Sequence, residues 1–313
     1  IHYIYKSNGG LSSARNAGIM ASSGEFLTFL DSDDMFLPDK LTLLLREFET
    51  DPEIGFVAGH ALLMDQHSKI LPNKFETKLP SPIHNLILGN PFHVGSVLIK
   101  KPWQEKIGYF DESLRSYEDW DFWLRLAVAG CKIAVIPVAV SRYRFHTGQM
   151  TRNGQQMTRA NLAVLDKFFS NPDLEEYWVK MKPQAYAHAH LRAAAHGYLS
   201  SDFGFAQDHL INALKLDPTL SENGYHKLKN IFSGWTDLPK AADSVSFLER
   251  IYKNLPEELS ELRKEQRHII GLAALNQAFL TIITRTILKP VSQPGRRFSL
   301  YRLYIKILEP LLC

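Results

Sequence analysis

The run "GEFLTFLDSDDMFLPDKLTLLLREFE", Gly24 to Glu49, restricts the possible folds more than any other part of the chain. Its apolar half has no polar alternation and predicts a strand buried on both faces, the kind that parallel sheets use. Three carboxylates then fall within four positions: Asp31, Asp33 and Asp34. Like charges that close need a cation, a proton or full solvation. Pro38 suits a first helical position, and Leu41, Leu44, Leu45 and Phe48 recur at helical spacing. A strand, an acidic loop and a helix in that order make a unit of an α/β sheet, with the loop on the edge where such sheets bind ligands.

The flanking sequence repeats this alternation. "IHYIY" predicts a short strand, and a Gly-Gly turn leads into "LSSARNAGIMASSG", a helix closed by Gly24. "IGFVAGHALLM", "HVGSVLIKK" and "CKIAVIPVAVSRYRFH" predict further strands. From about Met157 strand signals stop and helical spacing takes over. Residues 185–220 predict two antiparallel helices with small residues at their contact, an order similar to a single tetratricopeptide unit. One such unit cannot bury its own faces and should pack on neighbouring helices. The expected division is therefore 1–155, a mixed sheet flanked by helices, and 156–313, an all-α region, with "TGQMTRNGQQ" as the connector.

Charge and composition exclude several classes. A net charge of +3 over 313 residues gives no argument for nucleic acid as a partner. The positive charge gathers at the end: residues 280–313 hold six basic side chains and one acid. That tail reads either as a final amphipathic helix packed on its domain or as an interfacial segment on an anionic membrane. The two cysteines, Cys131 and Cys313, form no framework, and a reducing, cytoplasmic setting follows. No signal peptide opens the chain, and the absence of an initiator Met suggests that it begins inside a longer one. The longest apolar run, Ile269–Ile283, has 15 residues and contains Asn276 and Gln277. A spanning helix needs ~20 apolar residues, so none is expected.

Each candidate site has a plain alternative. Asp-Ser-Asp-Asp suits a hard divalent cation whose shell phosphate oxygens complete, and it suits a solvated turn with acids at a helix start equally well. In "SYEDWDFWLRLAVAG", Trp120, Trp123, Leu124 and Ala127 share a buried face and put Glu118 and Asp119 in the first helical turn. Asp119 is either a general base at a helix mouth or, with Ser116, part of a capping box, and taken alone the capping box is the stronger reading. In "GGLSSARNAGI", Arg15 sits at a helix start where it can meet a phosphate or a structural acid. His146, in "SRYRFHTGQMT", can reach a metal or a phosphate, although a lone loop histidine more often does neither. His60, His67, His84 and His93 are too scattered for a zinc cluster.

The order of these pieces resembles family 2 nucleotide-sugar glycosyltransferases of the GT-A fold over about residues 1–150: "GGLSSARNAGIMASSGEFLTFLDSDD", then "IGYFDESLRSYEDWDFWLRLAVAG", then "YRFH". The resemblance implies a metal-dependent inverting transfer from a nucleotide-diphosphate sugar to a hydroxyl of a glycan or lipid-linked acceptor, in polysaccharide or cell-wall synthesis. It implies Asp119 as catalytic base, and Arg15, Asn16, Asp31 and Glu118 on the donor. It also implies Asp31, Asp33 and His146, with Asp34 beside them, around Mg2+ or Mn2+. The basic tail would then offer peripheral contact with the inner face of the membrane. Two opening βα units of the family, on the order of 60 residues, have no counterpart here. Weak or no activity is expected of the chain alone, and the competing reading is a non-catalytic binding or assembly module. A nucleotidyltransferase shares the need for nucleotide and metal but does not require the Glu-Asp pair.

Overall fold

A computed structural model gives the fold and describes residues 2–146, 149, 153–235, 243–266, 270 and 271. Helix α1, Gly10–Ala21, turns Ile19 into the core and leaves Met20 exposed. Strand β1, Phe26–Leu27, and strand β2, Met35–Phe36, bracket the acidic loop, and helix α2, Lys40–Thr50, follows. Buried Leu44 and Phe48 form the inner stripe of α2, whereas Leu41 is exposed. Strand β3, Ile54–Met64, buries ten of its eleven residues, which makes it the centre of the sheet. Strands β4, Ile70–Phe75, and β5, Val97–Lys100, then helix α3, Lys101–Ile107, lead to helix α4, Glu118–Val128, and strand β6, Lys132–Arg144.

The sheet runs β1-β5-β3-β6-β2, with β4 added to β3. Among the described residues only β3 and β6 pair in parallel; the other pairs are antiparallel. The strand expected over residues 25–30 is therefore corrected in two respects: it pairs for two residues only, and it is antiparallel to β5. The reason lies at Thr28, whose hydroxyl donates to the Val97 carbonyl at 2.7 Å and accepts from Lys40 at 2.6 Å. Those side-chain bonds replace a ladder as the chain turns toward Asp31. "IHYIY" is not a strand among the described residues: Tyr3 and Tyr5 are exposed and no neighbour supplies a ladder.

Helices α5, Gly154–Phe169, α6, Glu176–Lys180, α7, Lys182–Ser200, α8, Phe203–Leu216, and α9, Glu222–Trp235, complete the first of two compact units, 1–240. The change from sheet to helices near residue 155 thus falls inside one unit, whose core includes Trp120, Phe122 and Trp123 together with Val164, Leu165 and Trp178. Helices α7 and α8 approach closely at Gly197, where an added Cβ would lie 2.8 Å from the Ala206 Cβ. The second unit, 241–313, holds α10, Ser244–Lys253, and α11, Ser260–Lys264, around buried Leu248, Ile251 and Leu262. The basic tail 280–313 lies outside the described residues, as does most of the apolar run before it. No helix among the described residues is long and apolar enough to cross a membrane.

Candidate active site

Arg15 projects from α1 with its side chain 9% exposed. One guanidinium nitrogen donates to Asp31 Oδ1 at 2.8 Å and the other to Glu118 Oε1 at 2.6 Å. The acidic loop after β1 and the mouth of α4, 87 residues apart in the chain, are thereby held on one cation. Helix α4 is fixed from behind by burial of Trp120, Phe122, Trp123 and Leu124. Full burial stabilises by roughly 1.5–3 kcal/mol for a side chain the size of Phe122. Phe122 stacks on Phe110 at 4.4 Å, and the Trp120 indole donates to the Leu86 carbonyl at 2.9 Å. From the far side Lys167 of α5 pairs with Asp111 and Asp121.

The capping-box reading of Ser116 and Asp119 gives way to a different arrangement. Tyr117 occupies the N-cap position in the left-handed region, φ 60°, a conformation that costs on the order of 1–3 kcal/mol for a side chain of this kind. Asp119 accepts from the Trp120 backbone N–H at 2.7 Å through Oδ1 and from Asn90 Nδ2 at 2.9 Å through Oδ2. Burial pushes its carboxyl up and the Glu118 charge adds to this, while Arg15, Asn90 and the Trp120 N–H pull it back, leaving it at about 6. A carboxylate set there is a competent proton acceptor near neutral pH.

The other acids divide by burial. Pairing of β2 with β6, Met35 opposite Arg142, carries the acidic loop alongside the end of β6. Asp33 is 40% exposed and its Oδ2 lies 3.3 Å from His146 Nε2. Asp34 is 1% exposed, accepts from the Arg144 backbone N–H at 2.8 Å, and has His93 Nε2 3.1 Å from its Oδ2. Asp34 is thus buried against β6 and His93, whereas Asp33 faces outward. Among the described residues no three His, Cys, Asp or Glu side chains converge as a metal cage. Of the expected metal set, Asp33 and His146 meet at 3.3 Å, while Asp31 turns one carboxylate oxygen to Arg15.

Asn16 differs from the other expected donor contacts. It is 5% exposed and both ends of its amide are used, Nδ2 on the Phe110 carbonyl and Oδ1 on the Phe110 N–H, each at 2.9 Å. Its work is to dock α1 on the segment before α4. A groove of about 550 Å³ opens between α1 and residues 26–32, lined by Leu11, Arg15, Ile19, Phe29 and Asp31. Sequence reasoning passed over Asn90, Arg144 and Lys40, and set His93 aside among the scattered histidines. Only the Asn-Pro pair at 90–91 carried a local signal, that of a turn.

Strand-end acids and the mouth of α4 thus meet across one arginine within a mixed α/β unit. Residues 1–95 match the model of Glycosyl transferase family 2, so the N-terminal part of the chain is similar to that family. An uncharacterized glycosyltransferase of Rickettsia typhi is 32% identical over 136 residues, 40% of this chain and 41% of the relative. One of Haemophilus influenzae is 32% identical over 123 residues, 39% of this chain and 42% of the relative. The matches thus span about two-fifths of the length of these curated relatives. Among solved structures, S. aureus TarS 1-349 aligns with 18% identity and a TM-score of 0.44, covering 85% of this chain and 69% of that one. Mannosyltransferase PcManGT from Pyrobaculum calidifontis, in complex with GDP-Man and Mn2+, aligns with 16% identity and a TM-score of 0.44, covering 86% and 66%. Superpositions this loose carry no argument about the site.

Proposed function

We propose that residues 1–155 form the catalytic part of a glycosyltransferase that moves a sugar from a nucleoside-diphosphate donor to an acceptor hydroxyl with inversion. One observation carries the reading: the Arg15 bridge, which brings Asp31 and the Glu118–Asp119 pair to one place. In this reading the donor lies along the groove between α1 and the acidic loop. Asp119 takes the proton of the acceptor hydroxyl as that oxygen bonds to the anomeric carbon and the diphosphate departs with its bonding pair. Arg15 and Glu118 set the local charge, and the Asn90 and Trp120 N–H groups aim the carboxylate. Asp31, Asp33 and His146 would hold a divalent cation, Mg2+ or Mn2+, which supplies Lewis-acid stabilisation of a diphosphate leaving group when bound. The acceptor is a glycan or a lipid-linked hydroxyl compound.

The test is a panel of UDP-, GDP- and dTDP-sugars with Mn2+ or Mg2+, run with the wild-type protein and Asp119→Asn and read by release of nucleoside diphosphate. Metal-dependent turnover with an acceptor present, lost in the variant, is expected. Undiminished turnover in Asp119→Asn would overturn the base assignment. No binding of any donor by the folded protein would favour an assembly role instead.

A further inference from the structure

Besides Lys167, the helical part of the first unit sends the charged side chain of Arg192 toward the start of α4. Arg192 of α7 donates through Nη1 to the Leu88 carbonyl and through Nη2 to Asn161 Oδ1 at 3.1 Å. Its guanidinium lies over the Trp120 ring, 5.7 Å from the centroid. Among the described residues no carboxylate forms an ion pair with it, and burial pulls it below the usual arginine range. A cation withdrawn from water without a counter-ion is costly. It persists where its donors organise something else.

What they organise is the 83–90 segment. The carbonyls of Leu86 and Leu88 are taken by the Trp120 indole and by Arg192 respectively. Gly89 lets the guanidinium in: a Cβ there would stand 3.0 Å from Arg192 Nη1. The next residue is Asn90. Its Oδ1 accepts from the Phe92 N–H at 3.1 Å, which orients the amide so that Nδ2 meets Asp119 Oδ2. Each link from α7 to the Asp119 carboxylate is therefore either a hydrogen bond or one step along the backbone.

We propose that Arg192 is a positioning residue for Asp119: by holding the Leu88 carbonyl it sets the Asn90–Asp119 hydrogen bond, so the helical region tunes the base. The inference rests on the reading of Asp119 as base for its meaning, though its geometry stands apart from that reading. Lysine cannot replace it fully. A point charge does not reach the Leu88 carbonyl and Asn161 in one plane while covering an indole. The charged and titratable groups facing Asp119 are Glu118 and Arg15, and Tyr117 senses both Asp119 and Arg192. Arg192 is not among the charges acting on Asp119 directly, so its influence should pass through Asn90.

The experiment is a 13C titration of the side-chain carboxyl of Asp119, assigned with Asp119→Asn, in the wild-type protein, Asn90→Ala, Arg192→Gln, Arg192→Lys and the Asn90→Ala/Arg192→Gln double variant. Loss of a hydrogen bond to the charged form should raise the midpoint by about one pH unit in Asn90→Ala. Arg192→Gln should raise it in the same direction, Arg192→Lys by less, and the double variant should equal Asn90→Ala. Arg192→Lys serves where the glutamine variant does not fold. An unmoved midpoint in Asn90→Ala, or in every folded Arg192 variant, overturns the proposal, as do shifts that add in the double variant. Because the readout needs no turnover, a failed transferase assay leaves this result to be judged separately.

Discussion

The Arg15 guanidinium is shared between Asp31 on the acidic loop, at 2.8 Å, and Glu118 at the start of α4, at 2.6 Å, with Glu118 7% and Asp31 29% exposed. Three carboxylates, Asp119 included, act on this one cation. Arg15→Ala would leave Asp31 and the Glu118–Asp119 pair without it. Breaking a buried pair on one side typically costs 3–5 kcal/mol, and partial exposure of Asp31 argues for the lower end, about 3 kcal/mol at pH 7.5. Urea midpoints at pH 7.5 and 5.5 measure it, and the loss should shrink at the lower pH as Asp119 protonates. Arg15→Lys should recover only part of it, since one ammonium cannot fork between two acids. Equal stability of Arg15→Ala and wild type would mean that the bridge contributes nothing.

Asp119 gives the pH dependence. A base must be deprotonated to act, and burial together with the Glu118 charge holds Asp119 at about 6. kcat/KM should therefore fall tenfold per pH unit below about pH 6 and be flat above it. Glu118→Gln removes the charge that adds to burial in raising Asp119 and leaves Arg15 shared with Asp31 alone, so the acid limb should move to lower pH. A limb that stays in place, or moves upward, would separate the profile from Asp119. Asp119→Asn should lower kcat by roughly 10²–10⁴-fold without changing the thermal midpoint by more than a few degrees.

Neighbouring acids should behave differently. Asp33 is exposed toward His146, whereas Asp34 is buried against the Arg144 N–H and His93. Asp33→Asn should weaken Mn2+ binding, read by calorimetry in the presence of a nucleoside diphosphate, while leaving stability within about 0.5 kcal/mol. Asp34→Ala should lower stability by about 1–3 kcal/mol, because it leaves the buried Arg144 N–H without its acceptor. The reverse pattern would exchange their roles.

Local pattern carried part of this and could not carry the rest. The apolar spacing of α2 and α4 and the long runs of β3 and β6 were legible because burial imposes its period on neighbouring residues. The 25–30 segment was not. An apolar run shows that a strand is buried but not which way its partner runs, and β5 arrives 70 residues later in the opposite direction. Asp31 and Asp119 stood out as acids at element boundaries. Asn90 did not, because nothing nearby marks a contact made 29 residues away. His93 and Arg144 had no local mark either: the bond from Arg144 to Asp34 spans 110 residues. Arg192 sits in a helix that reads as small-residue packing, and its reach to Leu88 across 104 residues exists only once the fold has formed.

Lys40 makes the last prediction, one that concerns stability rather than turnover. The residue is 1% exposed, and its Nζ donates to Thr28 Oγ1 at 2.6 Å and to the Gly95 carbonyl at 2.8 Å, with the Phe36 ring 3.6 Å away. Two acceptors match the two N–H groups of a neutral amine, and burial pulls the group down to about 7. In the unfolded chain it titrates near 10.5. Between those values the unfolded state carries the extra proton, so stability should rise with pH across that window and show no such slope below about pH 7. The increase is at most about 1.4 kcal/mol per pH unit for one group. Lys40→Met removes the titration and keeps the chain length, so the difference in urea midpoint between wild type and variant isolates it from other lysines and tyrosines. From pH 7 to 9.5 that difference should move steadily in favour of the wild type. A constant difference would mean that Lys40 keeps its charge when buried, and the contact that ties Thr28, three residues before Asp31, to the Gly95 loop would then be an ammonium held by carbonyl, hydroxyl and ring.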